Sequence, residues 1–210
     1  MADTYNIYFA GGLFSHKDLI GNTFLADAIE RCSQGKFKCV LPQNIEFRNT
    51  DAQSIRDDDI VTLINCDLAI FNYDGTELDS GTVVEYMFAK FADIPTLILR
   101  TDFRNGGDCT YTEKPLPWNL MSSFYPRTET CVLSSADIYR ESGKDCVKMV
   151  DAIATQIVPL LEKLLTTSPT MTTSEQPIIY DWLSRMPNFN SNRADEIKKA
   201  LERKQNRALL

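Results

Sequence analysis

The sequence predicts an α/β fold, a parallel sheet of about five strands with helices on both faces. Three observations predict it. Short apolar runs alternate with stretches of helical period, the connections between them are short, and Gly or Pro punctuates the ends of the runs. Residues 4–10 (TYNIYFA) alternate and stop at Gly11-Gly12, which reads as a first strand entering a tight turn. Residues 19–32 place Leu19, Ile20, Phe24, Leu25, Ala28 and Ile29 on one helical face, and Gly35 ends that helix. Residues 37–41 (FKCVL) form a second strand closed by Pro42. Residues 51–65 form a helix with Ile55, Ile60, Leu63 and Ile64 inward and a wet face at Arg56, Asp57, Asp58 and Asp59. Residues 67–71 (DLAIF) are a short buried strand, 72–80 a polar loop, and Gly81 opens a helix to about Ala92. Residues 95–100 (PTLILR) are a further strand, 130–133 the last, and 145–165 a strongly periodic helix.

Composition changes at Thr166. Residues 166–177 (TTSPTMTTSEQP) read as a Ser/Thr/Pro linker with nothing to bury. Residues 177–187 are a short apolar-aromatic patch with Tyr180 and Trp182, and Asn192 is placed to cap a basic helix carrying Ile197 and Leu201. The expected organisation is a domain over 1–165, a linker over 166–177 and an appendage over 178–210. A chain ending near Leu165 is expected to stay folded.

At 210 residues, one core buries roughly 70% of the unfolded surface without disulfide help. The formal charge of −7 argues against nucleic acid or an anionic membrane as the main partner, since both select a basic face. A single histidine, His16, excludes chemistry that needs two imidazoles. The six cysteines stand at 32, 39, 66, 109, 131 and 146 with no Cys-x-x-Cys spacing, which argues against a structural metal. The polar N-terminal residues and the lack of a long apolar run complete the expectation of a reduced, cytoplasmic, metal-free protein.

Open parallel sheets bind ligands beyond the carboxyl ends of their strands. Three loops, 11–17, 42–50 and 72–80, meet there in this reading. The third enters a helix whose first turn is expected to carry Glu85. A carboxylate there is held ionised by the helix N-terminus, which suits a nucleophile; acidic first turns also simply stabilise helix starts. Asp79 fits an N-cap equally well. The run Asp57-Asp58-Asp59 reads as a solvated face, Gly11-Gly12 is a weak phosphate signal, and the cysteines read as small core residues. Spacing alone leaves Trp118 and Met121 as either core or surface.

In order along the chain, several segments resemble the nucleoside 2′-deoxyribosyltransferase family. They are Ile7-Tyr8-Phe9-Ala10-Gly11-Gly12-Leu13-Phe14, Val40-Leu41-Pro42-Gln43-Asn44, Asp59-Ile60 with Cys66-Asp67-Leu68-Ala69-Ile70, and Lys114-Pro115 with Asn119-Leu120-Met121-Ser122. The most specific, Asp79-Ser80-Gly81-Thr82-Val83-Val84-Glu85, looks like the family's Asp-x-Gly-x-x-x-Glu. The resemblance covers about residues 5–165 and implies a Rossmann-like, flavodoxin-like sheet. It implies Glu85 as nucleophile at the anomeric carbon, Tyr8 as its orienting hydroxyl, and Asp59 as the group that protonates the departing base. Asp79 would hold sugar hydroxyls, helped by Asn119 from a neighbouring subunit. Met121 would pack near the base, Gln43 or Asn44 would read its edge, and Gly11 would be among the substrate-binding residues. Three features depart from the family: Met87 stands where a Gly is frequent, Leu13 where some members have an aromatic, and the tail extends past the usual end.

The chemistry so implied suits the residue inventory. Breaking an N-glycosidic bond develops oxocarbenium character that a carboxylate stabilises, and a covalent ester splits one hard displacement into two. No cofactor is required. The expected partners are 2′-deoxyribonucleosides and free nucleobases, in a salvage role, with a homo-oligomer sharing its site between subunits. The free nucleoside is expected over its 5′-monophosphate, because Asp79 repels phosphate and residues 72–84 hold no Lys or Arg; Arg48 lies on a distant loop. The rival readings are a deoxynucleoside 5′-monophosphate N-glycosidase and a nucleoside-binding module without catalysis. A flavodoxin-like electron carrier is disfavoured by the absence of a Ser/Thr-rich first turn.

Overall fold

Five parallel strands form one sheet in the order β2-β1-β3-β4-β5, as the alternation of strand and helix signals predicts. The computed structural model describes residues 4–45, 51–104 and 116–210; Arg48, Cys109, Lys114 and Pro115 lie outside the described residues. In chain order the elements are β1 (Tyr5–Ala10), α1 (His16–Cys32), β2 (Phe37–Val40), α2 (Ala52–Asn65), β3 (Leu68–Asn72), α3 (Ser80–Phe91), β4 (Thr96–Arg100), β5 (Thr128–Val132), α4 (Ser135–Glu141), α5 (Cys146–Leu165), α6 (Gln176–Arg185) and α7 (Ser191–Asn206). Single 3₁₀ turns sit at Pro42–Asn44 and Leu120–Ser122.

Successive strand residues point to opposite faces, which sorts the core into two layers. Ile7 and Phe9 pack with Leu68, Ile70, Leu25 and Ile157, under α1 and α5. Tyr8 and Ala10 pack with Ala69, Phe71, Ile64 and Tyr86, under α2, α3, α6 and α7. All five residues of β4 are buried, as suits a parallel strand covered on both faces. Polar residues set the helix starts: Ser15 and Asp18 form a capping box on α1, and Asp51, Asp79 and Asp145 cap α2, α3 and α5.

Several local expectations are corrected. β5 begins at Thr128 rather than 130, and the seven-residue α4, too short to show a clear period, follows it. Asn190, not Asn192, accepts the capping bond, so α7 starts at Ser191 and extends to Asn206. Of the acidic run on α2, Asp57 is buried and ion-paired. Residues 166–177 also bury more than their composition suggests. Asp93 Oδ2 accepts from the backbone N–H groups of Thr170 (2.7 Å) and Met171 (2.9 Å), Met171 packs on the core, and Gln176 is buried.

The tail packs on the α2/α3 face and adds Tyr180, Leu183, Ile197, Ala200 and Leu201 to that core layer. Polar latches secure it. The Tyr180 hydroxyl donates to Ala92 O at 3.0 Å, Arg127 donates to Leu209 O at 3.0 Å, and Arg207 pairs with Asp67 at 2.7 Å. The buried Lys204 ammonium donates to Cys66 O. Among the described residues no helix is long and apolar enough to cross a membrane.

Candidate active site

In this strand order the chain leaves β1 for one face of the sheet and β3 for the other, and the point between their carboxyl ends is where such sheets bind ligands. The two ends approach closely. A Cβ on Gly11 would stand 3.0 Å from Asn72 Cβ, so a residue without a side chain suits this position. The alternation of β1 sends Tyr8 toward α2 and α3, where its hydroxyl donates to Glu85 Oε1 at 2.6 Å. That distance is the short bond expected of a charged acceptor. Burial raises the Tyr8 hydroxyl well above the ordinary phenol value, and the nearby charges of Glu85 and Asp59 raise it further. Tyr8 therefore remains a protonated donor. Three sequence-predicted residues from β1, α2 and α3 thus converge here: Tyr8, Asp59 and Glu85.

The helix geometry reassigns one role. Glu85 is the sixth residue of α3, in its second turn and not its first. The carboxylate at the helix start is Asp79, whose Oδ2 accepts from Thr82 N at 2.7 Å and Thr82 Oγ1 at 3.0 Å. A helix-end field falls off within the first turn. The Tyr8 hydroxyl, rather than the helix dipole, is thus a donor that favours the ionised form of Glu85.

The remaining candidates are dispersed. Gln43 is engaged along α1: its Oε1 accepts from Asn22 Nδ2, and its Nε2 donates to Leu19 O and Thr23 Oγ1, each at 3.1 Å. Asn44 is exposed beside it. Asn119 Oδ1 accepts from Met121 N at 2.9 Å, and Met121 is 68% exposed. Asn119 and Met121 line a cavity of about 750 Å³ with Ser80, Val83 and Val84. At 3.6 residues per turn, that flank of α3 faces away from Glu85. A larger cavity of about 1110 Å³ runs along β5, lined by Phe103, Trp118 and Phe124, and contains none of the site carboxylates.

Two supporting residues escaped the sequence reading. Asn22 is buried and joins Gly12 O (3.1 Å) to Gln43, bracing the turn after β1. Arg100, buried at the end of β4, donates to Tyr73 O and, at 3.2 Å, to Gly75 O, pinning the loop before α3. The one available signal for Arg100 was a charge closing an apolar strand. Cys66 is not a reactive thiol, since burial pushes it up to about 12. Among the described residues no three His, Cys, Asp or Glu side chains gather as a metal-binding group.

A carboxylate fixed by a buried phenol, with a second carboxylate close by, can serve as nucleophile and acid-base partner. Residues 7–121 match the family model described as nucleoside 2-deoxyribosyltransferase. The fold is similar to a conserved protein of Enterococcus faecalis V583, at 26% identity and a TM-score of 0.53, covering 66% of this chain and 96% of that one. A 2-desoxiribosyltransferase from Leishmania mexicana matches at 25% identity and TM-score 0.47, covering 63% and 92%. A CMP N-glycosidase of Clostridium botulinum matches at 13% identity and TM-score 0.38, covering 66% and 98%. No curated protein sequence matches.

Proposed function

The chain belongs to the nucleoside 2-deoxyribosyltransferase family, and on that premise we propose that it exchanges the nucleobase of 2′-deoxyribonucleosides through a covalent deoxyribosyl ester on Glu85. The observation that carries this reading is the 2.6 Å bond from the buried Tyr8 hydroxyl to Glu85 Oε1. It orients an anionic nucleophile within a carboxylate pair. Glu85 attacks the anomeric carbon as the C1′–N bond electrons pass to the base. Asp59 gives its proton to that base, then takes one from the incoming base as the second attack expels Glu85. Two inversions give net retention.

Asp79 holds the sugar hydroxyls in this reading, with Oδ1 left by the cap bonds to Oδ2. Gly11 lines the sugar site. Gln43 and Asn44 stand near the base, Asn44 being the better placed to read it because Gln43 is engaged on α1. Asn119 and Met121 act from a second copy of the chain. Their cavity on the flank of α3 turned away from Glu85 supports a site completed between subunits.

The test is incubation with a 2′-deoxynucleoside and a different free base, with products separated by chromatography. The exchanged nucleoside should form, and a 2′-fluorinated nucleoside should add its sugar mass to the peptide holding Glu85. Deoxyribose release that ignores the added base would assign a hydrolase, and binding without turnover a non-catalytic module.

A further inference from the structure

The acidic run of α2 does not behave as a solvated face. Successive helix positions turn by about 100°, so Asp57, Asp58 and Asp59 project in three directions. Asp59 lies close enough to Tyr8 for its carboxylate, when ionised, to raise the hydroxyl. The other two carboxylates meet α7. Arg193 donates through Nε and Nη2 to Asp58 Oδ1, at 3.0 and 2.7 Å, and through Nη1 to Asp57 Oδ2 at 3.3 Å. Its Nη2 also reaches Ser54 O at 3.4 Å. One planar guanidinium thus ties three residues of a single stretch of α2, a task suited to its fixed fork of donors.

The clamp is itself fixed. The backbone N–H of Arg193 donates to the capping Asn190 at 3.0 Å, and its side chain is only 19% exposed. Arg56 holds the other oxygen of Asp57 and donates to Pro187 O at 2.8 Å. Farther along, Arg203 donates to Asn65 and Lys204 to Cys66 O, so α7 also grips the far end of α2. Every one of these α7 residues lies beyond the stretch 7–121 matched by the family model.

We propose that Arg193 is a positioning residue for Asp59: it fixes the turn of α2 that presents Asp59 to the departing base and offsets the charges of Asp57 and Asp58. The proposal rests on Asp59 being the acid-base group of the reading above. The charged and titratable groups that bear on Asp59 include Tyr8 of β1, which lies beside Glu85 of α3, and, on the adjoining turn of α2, Asp57 and Asp58 with their partners Arg56 and Arg193; Glu196 of α7 lies beside Asp58 and Arg193. Without Arg193 the two neighbouring carboxylates lose a shared cation. Asp59 then retains its proton to higher pH and is held less firmly toward the base.

The experiment uses full-length protein and two donors in single-turnover glycosylation of Glu85. One is a deoxynucleoside whose base must be protonated to leave; the other is a nitrophenyl 2-deoxyriboside, whose aglycone leaves as an anion. R193A should slow the first about 10–100-fold and the second less than about threefold, because only the first needs Asp59. The limb at which the first donor's rate falls with rising pH should move up by about half a unit in R193A. D58N, at a half-exposed position, removes a negative charge and should move the same limb down. R193K should restore the position of the limb but only part of the rate, since it returns the charge without the fork. Equal slowing of both donors, no slowing, or limbs shifted the same way in R193A and D58N would each overturn the proposal, and D58N supplies the limb reading if R193A does not fold. If the unmodified protein transfers from neither donor, the deoxyribosyl reading falls first and the Arg193 proposal with it.

Discussion

Replacing Tyr8 by Phe removes one buried oxygen and leaves the ring in the core layer with Ala69, Phe71 and Tyr86. The oxygen donates to Glu85 Oε1 at 2.6 Å. In the proposed reaction Glu85 is an anion in the resting protein and a neutral ester once glycosylated, so the same donor is worth different amounts in the two states. Hydrogen bonds to charged groups contribute about 1.5–3 kcal/mol, and neutral ones about 0.5–1.5 kcal/mol. The mid-range difference is about 1.2 kcal/mol, which the Phe variant loses on the anion side only. The equilibrium from enzyme plus nucleoside to glycosyl-enzyme plus base should therefore move roughly eightfold toward the ester. Deglycosylation should slow as well, because the carboxylate regains its charge without the Tyr8 donor. Acid-quenched mixtures with excess deoxynucleoside, weighed as intact protein, read the glycosylated fraction directly. A folded Tyr8→Phe protein with the same or a lower fraction than the unmodified one would refute this role for the hydroxyl.

Four further outcomes follow from the same geometry. Glu85→Ala and Asn119→Ala should each be nearly inactive alone, yet regain part of the exchange activity in a verified mixed oligomer; no recovery would place the site within one chain. Asp79→Ser keeps a good capping residue, so the fold should hold while nucleoside transfer weakens and discrimination against the 5′-monophosphate relaxes, read as the ratio of turnover on the two substrates. A chain ending at Leu165 should aggregate or melt far below the full chain, because it bares the face covered by Tyr180, Leu183, Ile197 and Leu201, each worth about 1.5–3 kcal/mol when buried; a cooperative melt near that of the full chain would show the tail to be energetically separate. Burial holds the Lys204 ammonium down from 10.5 to about 8, and the unfolded chain binds that proton more tightly. Stability due to this group therefore rises with pH between about 8 and 10.5, by about 3 kcal/mol at most, and the Tm difference between unmodified protein and Lys204→Met should grow over that range rather than stay flat.

The sheet and its helices were legible because their signals are local. Alternation marked β1, the buried runs marked β3 and β4, and the 3.6-residue period marked α1 and α5. The charge on a helix start was legible too, but it belongs to Asp79 rather than Glu85, since capping geometry is decided by a single residue's side-chain bond. The pairing of Tyr8 with Glu85 spans 77 residues, and only likeness to a family suggested it in advance. Arg193 on Asp57 and Asp58 spans more than 130 residues and carried no pattern at all. A Ser/Thr-rich stretch and a highly charged helix look detachable when read alone. They are retained here by Asp93, Cys66 and Asp67, whose demands for partners become visible only after folding.

The latch from Lys204 to Cys66 O joins residues 138 apart, and that of Arg207 to Thr4 O joins residues 203 apart. Translation proceeds at roughly 5–20 residues per second, so about 7–28 s separate synthesis of Cys66 from that of its partner. Through that interval the nascent sheet presents Ile60, Ile64 and Ala89 without the cover of α6 and α7. Such a delay favours capture by chaperones and raises the hazard of aggregation when expression is fast. Weaker transcription, which leaves fewer uncovered chains present at once, should raise the soluble yield, and synonymous codons that pause the ribosome between residues 66 and 165 should lower it.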